Sequence, residues 1–109
     1  MNPSIKQAWT EVLRSGQYQQ GEGNLCKNGK FCCLGVLTDL YIQATNQEWH
    51  HDVSGSYSFE TERGILPFSV QQWAGIDAPN PYIGGNHITD WNDDGMSFAE
   101  LASLIEEHL

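Results

Sequence analysis

Two adjacent cysteines, Cys32 and Cys33, stand where a hairpin signal gives way to an apolar helical pattern, and His87 follows downstream with Asp90 and Asn92 just beyond it. A thiol at a helix N-terminus can have its pKa lowered, which makes the nucleophilic thiolate available. His87 would then act as base, oriented by Asp90 or Asn92, in the chain order Cys, His, Asn/Asp that papain-like enzymes use. This is an order of residues and not yet a geometry. Free cysteine is also among the most buried residue types, and Cys33 sits inside the apolar run FCCLGVL, which favours packing. The catalytic set offered by the sequence is therefore Cys33, His87 and Asp90, with Cys32 and Asn92 as substitutes.

A second chemistry is anion binding. Lys27 and Lys30 flank the turn signal Asn28-Gly29, beside the start of the same helical pattern. Free N–H groups and the positive end of the helix dipole gather at such a start, so two ammonium groups and a helix terminus could together hold a phosphate. Arg63 and Arg14 are the only arginines and could join them. Trp49, Tyr57, Trp73, Tyr82 and Trp91 lie in or beside expected loops, where a ring could stack on a base. Lys27, Lys30, Arg63, Trp49 and Trp91 make up the ligand-binding set. Core packing for the rings and a solvated turn for the lysines are the plainer explanations of the same residues.

Metal chemistry is less well supported. Cys26, Cys32, Cys33, His50, His51 and His87 include zinc-ligand types, but adjacent Cys-Cys and His-His pairs lack the C-x₂₋₄-C and H-x₃₋₅-H spacing of structural sites. Asp90-Trp91-Asn92-Asp93-Asp94-Gly95 opens like an EF-hand loop, yet the position that needs a bidentate Glu is Leu101. A polar turn before a capped helix explains that stretch, and neither a metal nor a cofactor is expected.

Charge narrows the partners. The net charge is −9, and it is uneven: residues 1–59 carry five acids and four bases, while residues 60–109 carry nine acids against Arg63 alone. Such a chain is poorly suited to gripping a phosphate backbone, so direct nucleic-acid binding is not expected. An acidic surface can instead imitate nucleic acid, with Asp93, Asp94, Glu106 and Glu107 as the residues to do so. No apolar run approaches the roughly 20 residues of a membrane span. Three cysteines, an odd number, and an N-terminus without a secretory pattern point to a reduced, cytoplasmic setting. Small size allows a homo-oligomer, although no heptad demands one.

The elements that must position these residues are partly explicit. Asn2 as N-cap, Pro3 at the first helical position, the face Ile5, Ala8, Trp9, Val12, Leu13 and the stop at Gly16 predict a first helix. Asn28-Gly29 predicts a type I′ hairpin flanked by Leu25-Cys26 and Phe31-Cys32. Leu34, Leu37, Leu40, Tyr41 and Ala44 predict a central helix. His50-His51 reads as polar loop, Tyr57-Ser58-Phe59 as a short strand, and Leu66 to Gly75 as a brief helix. Asp77 to Gly85 reads as irregular and Ile88 with Trp91 as a short strand. Ser97 with Glu100 forms a capping box for the last helix. The sum is a single α+β domain over residues 1–109: three to four helices with a small antiparallel sheet.

The blocks FCCLGVLTDLY, LPFSVQQWAGI and WNDDGMSFAELASLIEEHL resemble a family of small, largely uncharacterised bacteriophage and bacterial proteins, over most of the chain after Lys30. Trp91 stands where that family often has Leu. The resemblance implies a small intracellular, phage-type protein, and short phage proteins often act against host defence by sequestering or cleaving nucleotide signals or by blocking a host protein. With the residues, it gives the reading taken first: a binder of a small anionic, nucleotide-type ligand. The alternatives are a Cys–His hydrolase of such a signal and an acidic inhibitor that mimics nucleic acid.

Overall fold

The computed structural model describes all 109 residues, Met1–Leu109. The side chain of Asn2 accepts hydrogen bonds from the N–H groups of Ser4 and Ile5 and starts α1 (Pro3–Ser15). A strand of two residues, β1 (Gln19–Gln20), leads to the hairpin of β2 (Cys26–Lys27) and β3 (Lys30–Phe31). Asn28 and Gly29 both hold positive φ, 53° and 78°, as the I′ turn requires. The central helix α2 (Cys33–Ala44) follows at once, then β4 (His50–His51), β5 (Ser56–Ser58) and α3 (Phe68–Ala74). The chain closes with β6 (Tyr82–Ile83), β7 (Asn86–His87), α4 (Ile88–Asp93) and α5 (Phe98–His108), whose capping box between Ser97 and Glu100 is fully formed.

The class is α+β, with five helices rather than three or four. The larger sheet has the order β1-β3-β2-β5-β4, and its β1–β3 pair is parallel, so the sheet is mixed and not purely antiparallel. His50-His51 is strand and not loop, because it pairs with Ser58 and Tyr57 of β5. Ile88 and Trp91 belong to a helix and not to a strand. They are three residues apart, which places them on one face of a helix but on opposite faces of a strand. The stretch read as irregular contains a second hairpin, β6–β7, around Gly84-Gly85.

Trp9 of α1, Leu34 and Leu37 of α2, Leu66, Val70, and Leu101 and Ile105 of α5 form one continuous buried core. Packing places α2 against the hairpin so closely that a Cβ at Gly35 would lie 1.7 Å from the Leu25 carbonyl oxygen. The indole Nε1 of Trp9 donates to the Cys33 carbonyl at 3.0 Å, which ties α1 to the same end of α2. The buried amide of Asn92 is fully engaged there. Its Oδ1 accepts from Gln20 Nε2 at 3.0 Å and from the Cys33 N–H at 3.3 Å. Its Nδ2 donates to the Gly21 carbonyl at 2.9 Å and to Asp93 Oδ1 at 3.0 Å.

Two substitutions test this packing by chemical denaturation. Gly35→Ala should destabilise by about 3 kcal/mol or more, since the clash is with backbone that cannot turn aside; a loss below about 1 kcal/mol would refute the close approach. Asn92→Leu keeps the bulk but strands several buried polar partners. It should cost about 3 kcal/mol, and a near-neutral result would show that those groups find other partners.

Candidate functional site

The β2–β3 hairpin sorts its side chains onto two faces. Cross-strand partners share a face, so one row runs through Gln20, Phe31, Cys26, Tyr57 and His51, and the other through Gln19, Lys30, Lys27 and Ser56. The first row faces inward: Cys26 is buried and Phe31 packs against the core. The second row is open at Gln19, Lys30 and Lys27, which are exposed, and closes at Ser56, which is buried. His50 lies on the same side and is exposed, while its partner Ser58 is buried. Lys27 and Lys30 are direct partners across the hairpin. No carboxylate lies within 4.0 Å of either ammonium group; the ion pairs of the chain involve Arg14, Arg63, His50 and His108.

Two polar cavities border this row. One, of about 230 Å³, is lined by both lysines with Gly21, Glu22, Asn24 and Asn28. The other, of about 480 Å³, lies over the β4–β5 turn and is lined by His50, Asp52, Val53, Ser54, Ser56 and Arg63. Lys27 of the first cavity and Ser56 of the second are register partners across β2 and β5. Arg63 is set at the second cavity by the Leu25 N–H, which donates to its carbonyl. Its Nε stands 2.9 Å from Asp52 Oδ2.

The start of α2 takes no part in this site, contrary to the sequence expectation. Cys32 is the N-cap and is buried, and the Cys33 N–H is taken by Asn92. The first N–H of the helix is thus already used, and the cavity of about 150 Å³ that touches Cys32 is lined by Asp93 and by neither lysine. Arg14 is also elsewhere, joined to Glu106 at 2.6 Å and bridging α1 to α5. Trp49 is half-buried, donating to Asp39 at 2.9 Å. Trp91 donates to the Ile83 carbonyl at 2.7 Å and packs on the core. Neither indole lines the lysine or the Arg63 cavity. Trp73 packs edge-on against Tyr41, whereas Tyr57 stacks on His51 at 4.2 Å.

The proposed nucleophile fares no better. Cys33 has no exposed surface, and burial pushes its thiol well above the ordinary value. Burial likewise raises Cys32 to about 11, although the N–H groups of Leu34 and Gly35 beside it pull the other way. The helix start was expected to favour thiolate, but desolvation wins. His87 is exposed, and its Nδ1 lies 3.1 Å from the Asn80 carbonyl. Asp90 is exposed and bonded to neither His87 nor a cysteine. Asn92 serves the fold and not an imidazole. Cys33, His87 and Asp90 are not assembled into a triad.

No three His, Cys, Asp or Glu side chains converge on one point. The calcium-like stretch is the helix α4, with Asn92 turned inward. Sequence reasoning missed Ser56 as the register partner of Lys27, and Asp52 and His50 as lining of the cavity that holds Arg63. The one available signal was the acid beside His50-His51, which a turn folds back toward Arg63. No helix is long and apolar enough to cross a membrane.

The whole chain, residues 1–109, matches the model of a domain of unknown function, DUF8296, and the chain belongs to that family. No curated protein and no solved structure gives a significant match.

The cysteine geometry predicts two outcomes. In native protein at pH 8, iodoacetamide should leave Cys32 and Cys33 unmodified, and urea should expose both; rapid native labelling of Cys33 would refute its enclosure. The raised pKa also sets a sign. Above about pH 9 the unfolded chain releases the Cys32 proton while the folded chain keeps it, so the unfolded state binds fewer protons and stability falls as pH rises. The fall should reach roughly 1.4 kcal/mol per pH unit per thiol between about pH 9 and 11. A Cys32→Ala variant should lose that part of the slope.

Proposed function

We propose that this member of DUF8296 binds a small anionic ligand of nucleotide type on the open sheet face, with Lys27 and Lys30 as its primary contacts. The observation that carries the reading is their register. Like charges directly opposite each other on a sheet repel, yet two of the five Lys and Arg residues of this acidic chain hold that arrangement with no carboxylate within 4.0 Å of either ammonium group, Glu22 lining the same cavity without pairing to them. An anion placed between them converts a repulsion into two charge-assisted hydrogen bonds. The adjoining cavity of about 230 Å³ gives such a group a place to sit.

Binding without turnover fits better than hydrolysis, because the only nucleophile–base order in the sequence is dismantled by the burial of Cys33. A nucleic-acid mimic has less support as well. Asp93 accepts from the Gly23 and Asn92 N–H groups, and Glu106 is tied to Arg14, so two of its four acids serve internal contacts. The resemblance to small phage proteins supports a role inside the cell, sequestering a nucleotide signal of host defence.

The test is to incubate the protein with a panel of linear and cyclic nucleotides and assay the free pool by chromatography before and after heating. A bound nucleotide should disappear and return intact. Lys27→Ala and Lys30→Ala should each weaken its binding about tenfold, near 1.4 kcal/mol per charge-assisted contact, while Cys33→Ser should leave it intact. Unchanged binding in both lysine variants, or no nucleotide bound at all, would refute the site; new products would mean hydrolysis.

A further inference from the structure

We infer that the cavity of about 480 Å³ over the β4–β5 turn is a second binding site, independent of the lysines, for a single phosphate group. The two cavities share no lining residue. Between their turns the Asn28 N–H donates to the Gly55 carbonyl at 3.1 Å. Arg63 therefore serves a separate site and does not complete the lysine one.

The donors of the turn are free because its carboxylate is used elsewhere. Asp52 opens the turn, and the Gly55 N–H closes it by donating to the Asp52 carbonyl at 3.2 Å, with Gly55 at φ 84°. An Asp in that position ordinarily accepts from the N–H two residues on. Here the carboxylate lies instead 2.9 Å from Arg63 Nε and 3.6 Å from His50 Nε2. The N–H groups of Val53 and Ser54 consequently donate to nothing in the chain. Successive N–H groups in a turn form an anion-binding concavity. Arg63 meets Asp52 by its Nε edge alone, which leaves both terminal amino groups for a bidentate contact. Ser56 supplies an independent indication. It is only 8 % exposed and lines the cavity, yet its hydroxyl makes no hydrogen bond within the chain. A polar group so enclosed is normally paired.

This donor set decides the chemical class. Two guanidinium amino groups, two backbone N–H groups and a hydroxyl reach the cavity from Arg63, the turn and β5. The two coplanar oxygens of a carboxylate cannot face all three directions, whereas the tetrahedral oxygens of a phosphate can. The charge of Asp52 is already matched by Arg63, so an incoming anion meets donors and not a bare carboxylate.

Amide-resolved NMR on a Lys27→Ala/Lys30→Ala variant tests the site with the lysines removed. Inorganic phosphate, ribose 5-phosphate and acetate are titrated at matched ionic strength. Both phosphates should shift the Val53 and Ser54 amide resonances saturably, with a Kd on the order of 1 mM or tighter, while acetate should not. Tighter binding of ribose 5-phosphate would identify an ester as the occupant, and equal binding the free ion; both uphold the site. Arg63→Ala should abolish the shifts, and Ser56→Ala should weaken them several-fold. Arg63→Lys, which keeps the charge but loses the fork, should weaken binding about tenfold, and the rest of each spectrum reports whether the variant is folded. Unmoved Val53 and Ser54 resonances, or shifts that survive Arg63→Ala, would overturn the site. Acetate binding equal to that of phosphate would overturn the phosphate assignment.

Discussion

The amide of Asn92 is the interaction on which the rest of this structure leans. A buried Asn is costly unless each of its two donor and two acceptor positions is met, and here all four are. Its partners come from distant parts of the chain: the Gln20 side chain, the Gly21 carbonyl, the Cys33 N–H at the start of α2, and neighbouring Asp93. Gln20 extends the network, donating to the Met96 carbonyl at 2.8 Å and accepting from the Phe98 N–H at 3.1 Å. Two helix starts, those of α2 and α5, thus receive orphan N–H partners from a single pair of amide side chains.

That constraint decides the chemistry of the cysteines. A helix start that is satisfied from inside can be buried, and burying it encloses Cys32 and Cys33 with it. The dipole and the N–H groups favour thiolate, while loss of water disfavours it; where the sulfur has almost no exposure, the second effect dominates. The same arrangement removes the α2 terminus from any anion near Lys27 and Lys30. What remains for ligand chemistry at the hairpin is the exposed part of the outer sheet face, at Gln19, Lys27 and Lys30.

Legibility follows the range of the interactions involved. The Asn2 cap, the Asn28-Gly29 turn and the Ser97–Glu100 box are settled within four residues of sequence, and each forms where the local pattern puts it. Ile88 and Trp91 fit a strand as readily as a helix when taken alone, because two apolar residues do not define a period unless their spacing is weighed against both templates. The Gly84-Gly85 hairpin was also locally visible, hidden by the prolines before it. Asn92 could not be assigned from sequence, since its partners are up to 72 residues away and its neighbours spell a polar turn. The direction of the cysteine pKa shift was illegible for a related reason: two opposed local effects are separated only by burial, which is a property of the whole fold.

The lysine pair is a different kind of case, because the fold gives no reason for it. Neither side chain makes a hydrogen bond or an ion pair within the chain, and both are exposed. Only the Cβ of Lys30 meets a structural demand, lying where a Cβ at Gly21 would come within 2.8 Å. Any β-compatible residue would meet that demand, and almost any would avoid placing two like charges opposite each other. Glu22 lines the same cavity but forms no ion pair with either lysine, and acids beyond about 10 Å are largely screened in physiological salt. Where a sequence breaks a local rule without an internal compensation, the compensation is expected from outside the chain. A bound anion supplies it in kind and in place.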